Sequence, residues 1–144
     1  MQLPDIDTRH IQLLTPIGFL AAGRGDVQSA VRIFEALALL RPEHAFPLVG
    51  LATALMNSGR AAEAVQRLQS VHLPAGPETD MLRALHGLAL QLAGRNAESH
   101  FVLRQVAAQA RCGALSDGAR LACRALGEEP GVALPDTTSP ALSI

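Results

Sequence analysis

The stretch that decides the fold, residues 14–42, reads LTPIGFLAAGRGDVQSAVRIFEALALLRP. Small residues stand where two helices could approach closely, and large apolar residues stand where they would fill the space between them. The small residues are Gly18, Ala21 and Ala30, and the large ones are Leu14, Ile17, Phe34 and Leu37. Asp26 follows a glycine-rich turn and is a typical N-cap, and Pro42 disfavours further helix. The stretch therefore predicts a helix–turn–helix unit.

The same pattern returns twice along the chain. Its helices in the first unit are predicted at about 11–22 and 26–40. In the second unit the turn glycine Gly59 lies 34 residues after Gly25, and the packing positions are Leu48, Leu51, Ala52, Leu55, Ala64, Leu68 and Val71. In the third unit Gly94 lies 35 residues after Gly59, so one extra residue is expected in the loop 74–77. Gly87, Leu90, Ser99, Leu103 and Val106 fit the pattern, whereas Arg83 and His86 replace large apolar residues.

A last helix is predicted at about 117–127, with Ser116 or Asp117 as its N-cap. Its apolar stripe would be Leu121, Ala122, Ala125 and Leu126. Repeat arrays need such a helix to cover the final exposed face. The predicted organisation is a flexible N-terminal lead (1–10), a repeat domain (11–127) and a disordered proline-containing tail (128–144).

This pattern resembles the tetratricopeptide repeat, a helix–turn–helix unit with a period of about 34 residues. The Ile17-Gly18 pair, Ala30, Phe34 and Pro42 stand at the positions that carry the resemblance. It implies an all-α tetratricopeptide-repeat α-solenoid with three helix pairs plus a C-terminal capping helix, and a role in binding another protein.

The composition narrows the possible partners. Apolar residues make up 49% of the chain, with four Phe and neither Trp nor Tyr, which favours close-packed helices over a sheet. The net charge of −1 argues against nucleic acid or an acidic membrane as the main partner. All twelve basic residues are Arg, which we interpret as the mark of a GC-rich bacterial genome.

No apolar run reaches the ~18–20 residues of a membrane span, and the first ten residues contain two acids, unlike a signal peptide. A cytoplasmic protein is expected.

No constellation of residues suggests catalysis. The histidines at 10, 44, 72, 86 and 100 lack metal-ligand spacing, and the segment 23–25 follows a helix rather than the strand that a phosphate loop requires. Cys112 and Cys123 flank the loop before the last helix, and either two buried small residues or a redox pair fits them. We expect no enzyme activity, no cofactor and no metal.

A concave groove is the predicted binding site, because the first helix of each unit lines that face of a solenoid. The register assigns twelve residues to it: Gln12, Thr15, Phe19, Ala22, Phe46, Val49, Thr53, Met56, Met81, Ala84, Leu88 and Gln91. Six of them are large and apolar, as in surfaces that accept an amphipathic helix. Two alternatives stay open: the last helix or the tail could fill the groove, or the chain could self-associate through it, for instance as a homodimer.

Within the repeat family, two kinds of partner binding can be compared with this groove. Many tetratricopeptide proteins hold an acidic C-terminus with Lys, Asn and Arg, but Thr15, Phe19, Gly50, Met81 and Leu85 stand at those positions, so this clamp is not expected. The chain is more similar to the small bacterial chaperones of type III secretion, in residues 40–71 and again in the turn at 94–98. The resemblance implies a chaperone for an amphipathic helix of a needle, translocator or export subunit. A structural scaffold or adaptor is the alternative.

Overall fold

The computed structural model describes residues 8–110 and 115–128. Within these residues the chain forms seven helices and no strand. The helices are α1 (Thr8–Gly23), α2 (Val27–Leu40), α3 (Phe46–Asn57), α4 (Ala61–Gln69), α5 (Pro77–Leu92), α6 (Asn96–Ala110) and α7 (Asp117–Leu126). Each pair α1–α2, α3–α4 and α5–α6 packs together, and α7 packs on the third pair. The predicted all-α solenoid of three helix pairs and a final helix is confirmed.

The first helix begins earlier than the sequence pattern indicates. α1 starts at Thr8, whereas the apolar pattern starts only at Ile11, because the first turn of the helix is polar and exposed. Residues 1–7 of the predicted lead and residues 129–144 of the predicted tail lie outside the described residues, so their flexibility stays a prediction.

One type of turn ends the first helix of every unit. A glycine takes a positive φ, and the next backbone N–H donates to the carbonyl five residues back, which is a Schellman motif. The φ angles of Gly25, Gly59 and Gly94 are 79°, 76° and 80°. The matching N···O distances are 2.9 Å for Asp26–Ala21, 2.8 Å for Arg60–Leu55 and 2.8 Å for Arg95–Leu90. The glycine spacing seen in the sequence is therefore the spacing of a backbone turn.

α7 ends in the same turn. Gly127 has a φ of 73°, and the N–H of Glu128 donates to the carbonyl of Cys123 at 2.9 Å. Gly127 lies 33 residues after Gly94, and α7 packs against both α5 and α6. α7 is thus the first helix of a fourth unit, which is the capping position predicted for it.

The start of each second helix is stabilised differently along the array. The Asp26 side chain accepts a hydrogen bond from the N–H of Ser29, as predicted. Hydrogen bonding from the Ser29 side chain, together with that from its backbone N–H, lowers the pKa of Asp26. Units two and three use an ion pair across the same turn, Arg60–Glu63 and Arg95–Glu98, each at 2.6 Å. Hydrogen bonds from the two arginines lower the pKa of both glutamates.

Phe34 on α2 joins the first two units. It is fully buried, and it lies against glycines of α1 and α3. A Cβ atom on Gly18 would stand 2.9 Å from the ring, and one on Gly50 would stand 2.2 Å from it. The large residue therefore fits only because its two neighbours lack side chains.

The first helices form one wall of the array. α1 contacts α3, α3 contacts α5 and α5 contacts α7, whereas α2, α4 and α6 do not contact one another within the described residues. In α-solenoids the first helices of the repeats line the concave side, and we call the surface formed by α1, α3 and α5 the concave wall. One buried cluster runs through the first two units into α5, and a second joins α5, α6 and α7.

The third unit replaces apolar contacts with polar ones. Arg83 donates from Nη2 to Oε1 of Gln105 at 2.8 Å, and buried Ser99 donates to the carbonyl of Gly87 at 2.7 Å. Both bonds connect α5 with α6. They explain how this unit keeps the helix-pair geometry although its sequence pattern is weaker.

Close backbone contact fixes the start of α7. Ser116 is the N-cap, since its Oγ accepts from the N–H of Ala119, and the same hydroxyl donates to Oδ2 of Asp80 at 2.8 Å. A Cβ atom on Gly118 would stand 2.3 Å from the backbone between Asp80 and Met81. The buried side of α7 is Gly118, Ala119, Ala122 and Cys123, so the predicted stripe is shifted toward the start of the helix. Cys123 is a free thiol, and Cys112 lies outside the described residues.

Candidate protein-binding surface

The six large apolar residues predicted for the groove are neither fully buried nor fully exposed. Phe19 is 42% exposed. The other five are partly buried and pack against the main core cluster: Phe46, Val49, Met56, Met81 and Leu88. They come from three neighbouring helices of the concave wall, so the structure places an apolar surface there. Its use for binding stays a prediction.

Aromatic contacts support two side chains of this surface, Phe19 and Phe46. The ring of Phe19 meets that of Phe34 edge-on, with centroids 4.9 Å apart. His44 lies beside Phe46 with centroids 6.1 Å apart. The buried ring of Phe34 thus packs against the partly exposed ring of Phe19 and fixes its position.

The polar members of the predicted set differ in what they offer a partner. The Thr15 hydroxyl donates to the carbonyl of Ile11 at 2.9 Å, and the Thr53 hydroxyl donates to that of Val49 at 2.7 Å. Gln12 and Gln91 are exposed, and they lie on α1 and α5. The two glutamines are therefore the side chains of this set that can donate and accept hydrogen bonds toward a ligand.

Two residues do not lie where the sequence pattern indicates. The sequence pattern predicts Ala84 in the groove, but it is fully buried in the second cluster, because α7 covers that side of α5. Ile17 was assigned to the space between α1 and α2, yet it is 50% exposed. Both deviations concern positions that depend on a neighbouring unit, which a pattern within one unit does not encode.

His86 on α5 has an unusual environment. Its Nε2 is buried and has no hydrogen-bond partner among the residues that the structure describes. Burial lowers the pKa of His86, the charge of Arg95 lowers it further, and Glu98 opposes the shift. The neutral ring at pH 7 acts here as a substitute for the apolar Leu51 of the second unit.

Two features are absent from the described residues. No group of three His, Cys, Asp or Glu side chains there is placed to hold a metal ion. None of the helices in the described ranges combines the length and the hydropathy needed to cross a bilayer.

The fold and this surface define a class of protein: an α-solenoid of helix pairs with an apolar concave wall. Residues 21–88, just under half of the chain, match the family model described as Tetratricopeptide repeat. This match and the seven helices of the described residues agree with the fold of an all-α tetratricopeptide-repeat solenoid. Such repeats usually mediate protein–protein interaction. Comparison with curated proteins and with solved structures gave no significant match.

Proposed function

We propose that this protein is a chaperone that holds an amphipathic helix of a secretion-system subunit against its concave wall. The observation that carries the proposal is the row of partly exposed apolar side chains on α1, α3 and α5. A helix with an apolar stripe is the ligand whose shape and chemistry match such a row. The narrower assignment, to type III secretion in a bacterial cytoplasm, rests on the sequence resemblance described above.

The uncharged, mostly apolar residues of the wall favour an amphipathic helix over a charged peptide as the ligand. None of the twelve assigned residues ionises, so this set offers no positive charge to a terminal carboxylate. Met56 and Met81 have flexible, polarizable side chains that adapt to different apolar ligands. The wall is therefore suited to bind an apolar helix with low sequence specificity.

Partial burial sets the expected strength of binding. Five of the six apolar side chains already lose much of their surface to the core, and only the remaining area contributes on binding, at ~25 cal/mol per Å². Association costs of several kcal/mol oppose this gain. We expect a dissociation constant in the micromolar range for one isolated client helix.

The test is a comparison of full-length variants in the native host. Phe46→Glu and Met81→Glu place a charge on the wall, and Phe101→Glu is the matched control, because Phe101 lies on α6 and is 65% exposed. A chain that copurifies with the parent is identified by mass spectrometry, and its amphipathic segment is titrated as a synthetic peptide. We expect both wall variants to weaken the peptide at least tenfold, while the control binds like the parent.

Other outcomes would overturn all or part of the proposal. If the wall variants bind the peptide normally, the wall is not the site. If they change the mass of the protein in light scattering without any client, the scaffold alternative is correct. If the copurified chain is not a secretion subunit, the narrower assignment is wrong. Circular dichroism of each variant ensures that a folded protein is compared.

A further inference from the structure

The start of the second helix is polar in the third unit and apolar in the first two. Two positions, two and six residues after the turn glycine, show the difference. They are Val27 and Val31 on α2, Ala61 and Val65 on α4, and Asn96 and His100 on α6. The α2 pair is partly buried and the α4 pair is buried, whereas both residues on α6 are exposed. The third unit therefore presents hydrogen-bonding side chains where the first two units pack apolar ones.

An open notch lies at this point between α5, α6 and α7. It has a volume of about 280 Å³ and is lined by Gln91, Asn96, Ser99, His100, Leu103 and Ala125. This volume is just below the ~300–1,000 Å³ of sites for drug-sized ligands. The cavity, which we call the α6–α7 notch, therefore has room for one side chain or one small functional group.

Ser99 is the buried polar residue of the α6–α7 notch. It is 1% exposed, and its hydroxyl donates its hydrogen to the carbonyl of Gly87 at 2.7 Å. A hydroxyl also has two lone pairs that accept hydrogen bonds, and no described residue donates to Ser99 Oγ. The matching ligand atom at this point is a donor. A carboxylate, which only accepts hydrogen bonds, cannot supply it.

The remaining polar atoms of the notch suit a carboxamide. Gln91 and Asn96 each have a carbonyl that accepts and an NH₂ group that donates. None of the six lining residues is Asp, Glu, Lys or Arg, so a charged ligand finds no opposite charge to offset its desolvation. A carboxamide can donate to Ser99 Oγ and accept from the amides at the rim, so its donor and acceptor are both matched.

Gln91 connects the notch with the concave wall. It is exposed on α5, and it belongs both to the residues predicted for the wall and to the lining of the notch. A helix bound along the wall therefore reaches the mouth of the notch. Residues 129–144 follow α7 in the chain, but they contain neither Asn nor Gln, so this segment has no carboxamide side chain to place there.

We propose that the α6–α7 notch binds the carboxamide side chain of an Asn or Gln residue on the client helix. The client as the source of this side chain rests on the proposed function, whereas the notch can be tested without a client. The apolar wall binds the helix, and the notch fixes the position of the helix along the wall.

Three fragments of similar size test the notch alone: neutral butyramide, anionic butyrate and cationic butylammonium. We expect butyramide to shift the backbone amide NMR signals of Asn96, Ser99 and His100 in the full-length protein. Binding should be saturable with a millimolar dissociation constant, as is usual for so few atoms. Butyrate and butylammonium should bind at least tenfold more weakly.

Variants of the notch supply the controls for the fragments. Asn96→Ala with His100→Val gives the third unit the residues of the second, so it should fold and weaken butyramide at least tenfold. Ala125→Leu fills the notch and should do the same. Ala108→Leu, at an exposed position on α6, should bind butyramide like the parent. Circular dichroism verifies that each variant is folded.

The client peptide tests the source of the carboxamide. Each Asn or Gln of the copurified client segment is replaced in turn by Met. We expect one replacement to weaken binding to the parent at least fivefold and to have no further effect on binding to the Asn96→Ala, His100→Val variant. Met81→Glu should weaken the client peptide but leave butyramide within twofold, so a failure of the wall is distinguished from a failure of the notch.

Several results would overturn the proposal. If no fragment shifts the three signals, or if the Asn96→Ala, His100→Val variant binds butyramide like the parent, the notch is a solvated or internally filled gap at the end of the array. If butyrate binds most tightly, the ligand is an anion. If butyramide binds but no Asn or Gln of the client is coupled to the notch, the ligand is a free amide and its assignment to the client is wrong.

Discussion

Phe34 determines how closely the first two units pack against each other. Its ring is enclosed by α1, α2 and α3, and it reaches the solvent-facing Phe19 through an edge-on contact. Gly18 and Gly50 are the two residues that make room for it. The fit leaves no space for an added methyl group at Gly50, because the ring atoms lie where a Cβ would stand.

Gly50→Ala should therefore destabilise the protein although alanine favours helices. The new Cβ would lie 2.2 Å from the Phe34 ring, and overpacking of this kind costs about 1–3 kcal/mol. Denaturation by urea measures the free energy of unfolding. Gly23→Ala is the control, since nothing lies within 4 Å of its Cβ position, and it should be neutral or slightly stabilising. Equal stability of Gly50→Ala and the parent would show that α3 does not approach α2 this closely.

His86 makes stability depend on pH. Burial holds the folded-state pKa below the unfolded value of ~6.5, so the unfolded chain takes up a proton first as the pH falls. Stability contributed by the neutral ring is complete above ~6.5 and is lost as the pH falls toward the folded-state pKa. His86→Leu should remove this loss and raise the free energy of unfolding at pH 7 by about 1 kcal/mol, because the orphaned Nε2 disappears.

Urea denaturation at pH 7.5, 6.5 and 5.5 measures both effects of His86→Leu. His100→Gln, at an exposed histidine on α6, is the matched control and should keep the pH dependence of the parent. Arg83, Arg95 and Glu98 surround His86 and are retained in both proteins. A parent whose stability is flat between pH 7.5 and 5.5 would contradict the shifted pKa.

At the scale of helices, the sequence predicts where the turns lie, but it does not predict which helices pack beside each residue. The intervals between turn glycines identify the end of each first helix, because a positive φ strongly favours glycine there. Asp26 likewise identifies the start of α2. Ile17 and Ala84 were assigned wrongly, since their exposure depends on whether another unit packs beside them. The start of α1 at Thr8 was missed because its first turn carries no apolar residue.

The third unit also shows that a repeat pattern predicts helices better than it predicts the contacts between them. Arg83 breaks the repeat pattern and Ser99 fits it as a small residue, yet each forms a hydrogen bond between α5 and α6. α7 then covers Ala84, which has no room for a ligand. A consensus pattern predicts the helices of this unit, but not the polar contacts that replace its apolar ones.

At the scale of the whole molecule, two groups of apolar side chains differ in their surroundings. Those of the concave wall come from α1, α3 and α5 and, apart from Phe19, are partly buried against the core, whereas Leu13, Ile17 and Leu20 belong to α1 alone and are more exposed. A helix on the wall would cross several units. Its binding would therefore not depend on these three residues.

The last prediction separates the concave wall from the exposed face of α1. Met81 on α5 and Leu13 on α1 belong to different units of the array, and distant sites contribute additively to free energies. Met81→Glu should weaken the binding of the wall peptide at least tenfold in calorimetric titrations, and the double variant Leu13→Gln, Ile17→Gln should leave it within twofold. If the double variant weakens the wall peptide as much as Met81→Glu does, the binding surface of the wall continues onto that face of α1.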